Sequence, residues 1–156
     1  MDFEDFLRLL QALEQHRVNY VLVGAAALNV HGLVRATEDI DLFVQPEAQN
    51  VERLRRSLRS VWEDPEIDQI SAQDFAGEYP TIRYVPPGGS PVIDLLSRLG
   101  SELRFEDLEA ETVVLEGVRV RVATPRTLYR MKKDTVRPID RADAQALREK
   151  FKLEEG

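Results

Sequence analysis

The sequence has no cysteine and only two histidines in 156 residues. Without thiols there can be no disulfides and no thiolate metal site, and His16 and His31 alone cannot build a histidine-rich zinc centre. Any metal ion must be held mainly by carboxylates, which favours magnesium or manganese. Also missing is any run of about eighteen apolar residues, or a charged-then-apolar leader. No membrane span or secretory signal is therefore expected, and a cytoplasmic location is. Cationic charge is scarce: 21 Lys and Arg stand against 28 Asp and Glu, for a net charge of -7. That argues against a chain that coats nucleic acid by neutralising its phosphates.

The scarcity is uneven. Between Thr124 and Lys150 lie eight basic residues (Arg126, Arg130, Lys132, Lys133, Arg137, Arg141, Arg148, Lys150) and four acidic ones (Asp134, Asp140, Asp143, Glu149). A basic tail facing an acidic metal site would suit a triphosphate that bridges the two; a solvated, salt-bridged helix pair would have the same composition. With 43% hydrophobic residues and no repeat or long linker, one domain is the default. It spans residues 1–156, with a core over about 1–122 and a helical segment over about 124–152.

The central motif is the run from Val34 to Val44, in which Asp39 and Asp41 interrupt an otherwise apolar and β-branched stretch. Read as a strand, it places Asp39 and Asp41 on one face and Ile40 and Leu42 on the other. Two half-buried carboxylates roughly 7 Å apart repel one another, and divalent cations would offset that cost. An isolated Asp-x-Asp is more commonly a solvated or salt-bridged strand end. Just upstream, the apolar strand Tyr20–Val23 runs into Gly24-Ala25-Ala26-Ala27-Leu28, a tight turn opening a helix of small residues. Gly24 allows close approach, and the helix N-terminus offers free N–H groups to a phosphate, although close helix-to-sheet packing would need the same residues. Arg35 and Thr37 share the face of Asp39 if the strand begins that early. Arg35 could then meet a phosphate or pair with Glu38 or Asp39. His31 could line the site, cap or simply pack.

Around these motifs the periodicity predicts an amphipathic helix over Asp2–Gln15 with Phe3, Phe6, Leu7, Leu10 and Leu13 inward. A second helix covers Ala48–Val61, burying Val51, Leu54, Leu58 and Val61 and exposing Arg53, Arg55, Arg56 and Arg59. Residues 62–69 read as irregular, with Pro65 breaking any helix, and Ser71 with Asp74 caps a short helix from about Ala72. Thr81–Val85 and Val92–Leu96 form a hairpin across the Pro- and Gly-rich residues 86–91, and Thr112–Leu115 with Val118–Val122 form another. Residues 97–108 are expected as loop and short helix. Thr124-Pro125 starts a helix to about Lys133, and Pro138 opens the last helix, with Ala142, Ala146, Leu147 and Phe151 inward.

An apolar strand, Gly24-Ala25, a short helix and Asp39-Ile40-Asp41 resemble the motif of the nucleotidyltransferase superfamily, the fold of the DNA polymerase beta catalytic domain. The residues from Gly24 to Gly32, followed by Arg35, Thr37, Asp39 and Asp41, look most like the AbiEii-type nucleotidyltransferase toxins and their relatives. The likeness continues through Ile93-Asp94-Leu95-Leu96 to Lys132 and to the segment from Arg137 to Asp143. It implies an α/β (α+β) fold of one minimal domain, a mixed twisted sheet flanked by helices. It further implies magnesium or manganese on Asp39, Asp41 and Asp94, and nucleotide contacts from Gly24, Ala25, Arg35, Thr37, Lys132 and Asp140, with Lys133 a rival for the lysine. Asp39, Asp41, Asp94 and Lys132 would be the catalytic set. The reaction would move an NMP from an NTP to a hydroxyl of tRNA, another RNA, a protein or a small molecule, and an antitoxin protein could be a partner. Ala25 stands where the family has a second Gly or Ser, so only the backbone N–H remains there. A nucleotide-binding regulator and a metal-dependent phosphohydrolase are the two alternatives on the same fold.

Overall fold

Hydrophobic alternation and helical periodicity resolve into α1 (Phe3–Gln15), β1 (Tyr20–Val23), α2 (Gly24–Val30), β2 (Asp39–Val44) and α3 (Ala48–Val61) in the first part of the chain. Then follow β3 (Thr81–Tyr84), β4 (Val92–Leu96), the two-residue strands β5 (Arg98–Leu99) and β6 (Leu103–Arg104), β7 (Ala110–Leu115), β8 (Val118–Ala123), α4 (Pro125–Lys132) and α5 (Pro138–Phe151). The structure is a computed structural model and describes residues 2–77, 80–99, 103–132 and 138–153. Lys133 and Arg137 lie outside the described residues.

The main sheet runs β3-β4-β2-β1-β8-β7 and is mixed: β1 pairs antiparallel with β2 and parallel with β8, β2 is parallel to β4, and both outer pairs are antiparallel. Ile40, Leu42, Ile93 and Leu95 are fully buried on one face of its centre, as the alternation requires. Leu9, Leu10 and Leu13 of α1 and Leu54 and Leu58 of α3 join them in one core. The opposite face carries Asp39, Asp41 and Asp94. Among the described residues no helix is long and apolar enough to cross a membrane.

Several local expectations change in the folded chain. Phe3 is exposed, whereas Leu9 is buried, so the apolar stripe of α1 starts one turn later. Pro65 opens a 3-10 helix over Pro65–Gln69 instead of preventing one: it occupies the first turn, where an N–H would have no partner, and the Asp64 carboxylate accepts from the Glu66 N–H. β2 begins at Asp39, not near Val34, and Val34 is fully exposed. The ladder stops there because β4 contributes partners only from Val92, opposite Asp39, and β1 ends at Val23, opposite Asp41. The face of α5 is also turned: Ala142 is exposed, while Asp140, Asp143, Ala144 and Leu147 are buried.

Asn50, buried on α3, fixes both strands that lead to the site. Its amide donates to the carbonyls of Asn19 and Gln45 at 3.0 and 2.9 Å, and its Oδ1 accepts from the Asn19 N–H at 2.7 Å. These residues flank the paired ends of β1 and β2. Asn50→Ala is expected to cost about 2 kcal/mol of stability by leaving these backbone groups without partners. Urea unfolding checks this; an unchanged midpoint would show that the three bonds do not brace the strands.

Candidate active site

One register row crosses four strands: Val23 on β1 lies opposite Asp41 on β2, Asp41 opposite Asp94 on β4, and Asp94 opposite Arg83 on β3. Side chains in such a row project to the same side of the sheet, so the pairing alone brings Asp41, Asp94 and Arg83 together. Asp39, two residues before Asp41, shares their face. Arg83 grips Asp94 with two bonds, Nε to Oδ1 at 2.9 Å and a terminal nitrogen to Oδ2 at 3.3 Å. That same terminal nitrogen lies 3.8 Å from Asp39 Oδ2.

Gly24 closes the other side of Asp41. Its φ is +71°, and a methyl built on it would overlap Asp41 Oδ2 and lie 2.9 Å from Asp41 Cγ. The first residue of α2 is therefore glycine for two reasons, the left-handed backbone and the carboxylate resting against its Cα. Asp41 is deprived of water here, and the negative charges of Asp94 and Asp39 add to that burial. Together they push its pKa up to about 6, with Lys132 opposing them.

Val23, Gly24, Asp41, Asp94 and Arg83 line a cavity of about 500 Å³ with Thr81, Leu96, Leu99, Leu128, Met131, Lys132 and Asp140. Its floor is the acidic row; Leu96, Leu99, Leu128 and Met131 supply an apolar wall. Lys132, at the end of α4, binds Asp140 Oδ1 at 3.1 Å and Asp143 Oδ2 at 3.2 Å. This is why α5 turns its aspartates inward: a buried carboxylate needs a charged partner. The fold thus carries Lys132 and Asp140 to the same cavity as Asp41, although over a hundred residues of order separate Asp140 from Gly24.

Arg35, Thr37 and His31 do not line this cavity. Thr37 Oγ1 donates to the Asp39 carbonyl at 2.7 Å and braces the start of β2. Arg35 donates its backbone N–H to Asn29 Oδ1 at 2.9 Å. Its Nε lies 3.2 Å from Asp143 Oδ1, close enough for an ion pair but without hydrogen-bond alignment, so its charged partner is neither Glu38 nor Asp39. His31 Nε2 donates to the Ala123 carbonyl at 2.8 Å, and its ring meets Phe151 edge-on, so it joins α2 to β8 and α5. Arg83 is the site residue that the sequence reading passed over. The available signal was the hairpin itself, whose alternation puts Thr81 and Arg83 on one face beside Asp94.

The donor set suits a hard divalent cation: oxygen ligands only, two of them in register, and one with its pKa pushed up to about 6 by burial and then by the neighbouring aspartates. Among the described residues, however, no three acidic or histidine side chains are drawn into a finished metal cluster. The guanidinium of Arg83 lies between Asp94 and Asp39.

Residues 8–151 match the family described as nucleotidyl transferase AbiEii toxin, type IV TA system. Two crystal structures share the fold. One is a candidate nucleotidyltransferase of Thermotoga maritima (TM-score 0.58, 16% identity, covering 97% of this chain and 96% of that one). The other is an antigenic nucleotidyltransferase-like protein of Paracoccidioides brasiliensis (TM-score 0.52, 21% identity, covering 89% of this chain and 71% of that one). None of the curated proteins matches the sequence.

Proposed function

Because the chain belongs to the AbiEii nucleotidyl transferase toxin family, we propose that it is a magnesium- or manganese-dependent nucleotidyltransferase that moves an NMP from an NTP to an acceptor hydroxyl. The observation that carries this reading is the in-register pair Asp41 and Asp94, with Asp41 packed against Gly24, on the floor of a cavity that Lys132 also lines.

Asp39, Asp41 and Asp94 are the oxygen donors that would hold the cation, which would activate the attacking hydroxyl and offset charge on the leaving pyrophosphate. The chain's own groups do the rest. Gly24 and Ala25 would direct backbone N–H groups at phosphate oxygens. Asp94 would sit beside the acceptor and assist its deprotonation. Lys132 would meet the triphosphate while Asp140 and Asp143 hold its ammonium in place. Arg35 would act through Asp143, and Thr37 through the Asp39 backbone, so both serve the nucleotide indirectly. The acceptor hydroxyl would belong to RNA, tRNA included, to a protein or to a small molecule, and an antitoxin protein is the expected partner of a family member of this kind.

Incubation of the protein with each labelled NTP, magnesium and total RNA or cell protein tests the proposal. Label transferred to one fraction supports it. Nucleotide binding without turnover would instead favour a regulator, for which Ala25 in place of the family's Gly or Ser speaks, and free nucleoside phosphate would point to a phosphohydrolase. Lys132→Gln is expected to raise the KM for the NTP about tenfold through loss of one charged phosphate contact. It should also lower stability by about 1–2 kcal/mol, because Asp140 loses a cationic partner. Steady-state kinetics and urea melts measure both; an unchanged KM would remove Lys132 from the nucleotide site.

A further inference from the structure

Asp94 lines the same cavity as Asp41, and Asp39 shares their face of the sheet without lining it, yet the positive charge beside Asp94 and Asp39 comes from a neighbouring strand. Arg83 binds both oxygens of Asp94 and reaches Asp39 with the same nitrogen that contacts Asp94. Its side chain remains about two-thirds exposed, whereas that of Asp94 is nearly covered, 63% against 16%. The exposed partner can swing away at little packing cost, and the covered one cannot move without disturbing the sheet. Asp41 shares their face, yet the contacts of Arg83 are to Asp94 and Asp39. The single guanidinium charge is thus shared between Asp94 and Asp39, and Asp41 has no contact with it.

We propose that Arg83 is a positioning residue that stands in for the divalent cation, bridging Asp94 and Asp39 on the sheet until the ion displaces its guanidinium. The inference rests on the carboxylates being a metal site, as set out above. Arg83 already bonds both oxygens of Asp94 and its charge repels a second cation, so the ion must compete with a bidentate guanidinium, one of the stronger ion-pair geometries. Binding of the ion then costs one arginine–carboxylate pair. In return it reaches Asp41, which Arg83 does not contact. The exchange keeps the acidic row from collapsing or repelling when no ion is bound. It also sets a threshold concentration below which the site stays closed by its own side chain. The displaced guanidinium remains at the rim of the cavity that it lines.

The sign of one measurement separates this role from a purely structural one. If Arg83 only held Asp94 in place, its removal would loosen a ligand and weaken metal binding; if it competes, removal strengthens it. Manganese binding is measured by titration of the full chain, free Mn2+ being followed by its paramagnetic resonance signal, for wild type, Arg83→Gln, Arg83→Lys and Asp41→Asn. Arg83→Gln is expected to bind Mn2+ roughly fivefold more tightly, the equivalent of one partly exposed ion pair. Arg83→Lys, charged but unable to form the fork, should fall between it and wild type. Equal or weaker binding by Arg83→Gln, with binding still lost in Asp41→Asn, would leave the metal site standing and overturn the competition. If Asp41→Asn binds Mn2+ as wild type does, or if no protein binds it, the metal reading fails and this inference fails with it.

Discussion

Asp41→Asn is expected to reduce nucleotidyl transfer at least ~10²-fold, about 3 kcal/mol of transition-state stabilisation, and to make the metal-free protein more stable. The amide keeps the shape that fits against Gly24 but removes the charge that would hold a cation. The stability gain follows from the raised pKa. A carboxyl at about 6 in the folded protein, against an ordinary value of 3.8, holds its proton more tightly folded than unfolded. Its contribution is fully present below about pH 3.8. It is lost as the pH rises through 6, and above that Asp41 is a buried charge facing two others. Asparagine has no such loss, so in EDTA the variant should melt no differently near pH 4 and higher than wild type at pH 7, by on the order of 2 kcal/mol. Added magnesium should narrow the gap by stabilising wild type alone. A variant that melts lower than wild type at pH 7 in EDTA, and still transfers label, would return Asp41 to an ordinary salt bridge.

Gly24→Ala should be equally inactive with the opposite effect on stability. The substitution places a β-carbon in a left-handed backbone conformation, about 1 kcal/mol, and drives it into Asp41. Relieving the overlap requires moving either the start of α2 or the carboxylate, and the total cost is expected at about 2–4 kcal/mol. In an Asp41→Ala background most of the collision is gone, leaving the backbone strain and one tight contact to the Asp41 β-carbon position. The same change should then cost less than half as much. Urea unfolding of the four proteins in this double-mutant cycle gives the coupling, and additive costs would mean that Gly24 is needed for its backbone alone.

What could be read from the sequence follows from how local each signal is. The apolar spacing of α3 and the strand–glycine–helix junction at Gly24 depend on neighbours a few residues away, and they appear where expected. Asp41 and Asp94 were each visible as a carboxylate in an apolar strand. That they occupy the same row depends on the parallel register of β2 with β4, for which no local pattern exists. The start of β2 was placed too early because alternation continues through Arg35 and Thr37, whereas a strand extends only as far as its partners do. The inward face of α5 was read from its alanines. The buried face instead follows the charges of Lys132 and Arg35, which lie on other elements and attract Asp140 and Asp143. Arg83 was overlooked for a related reason: an arginine in an edge strand reads as solvated until the hairpin register sets it opposite an aspartate.

The position of β1 in the sheet has a consequence for how the chain reaches its native state. One of its edges is taken by β2, which follows after a single short helix, and the other by β8, through Leu22 opposite Val122. The first pairing closes a small loop, whereas the second closes a loop on the order of 100 residues, with the larger entropic cost and the slower search. Tyr20–Val23, wholly buried in the finished sheet, therefore spends the early part of folding as an open apolar edge. α4 follows β8 directly, so the wall that Leu128, Met131 and Lys132 give to the cavity is expected to dock only once that edge is closed. On this order the carboxylate row forms before its own enclosure, and the complete cavity is the last part of the fold to close.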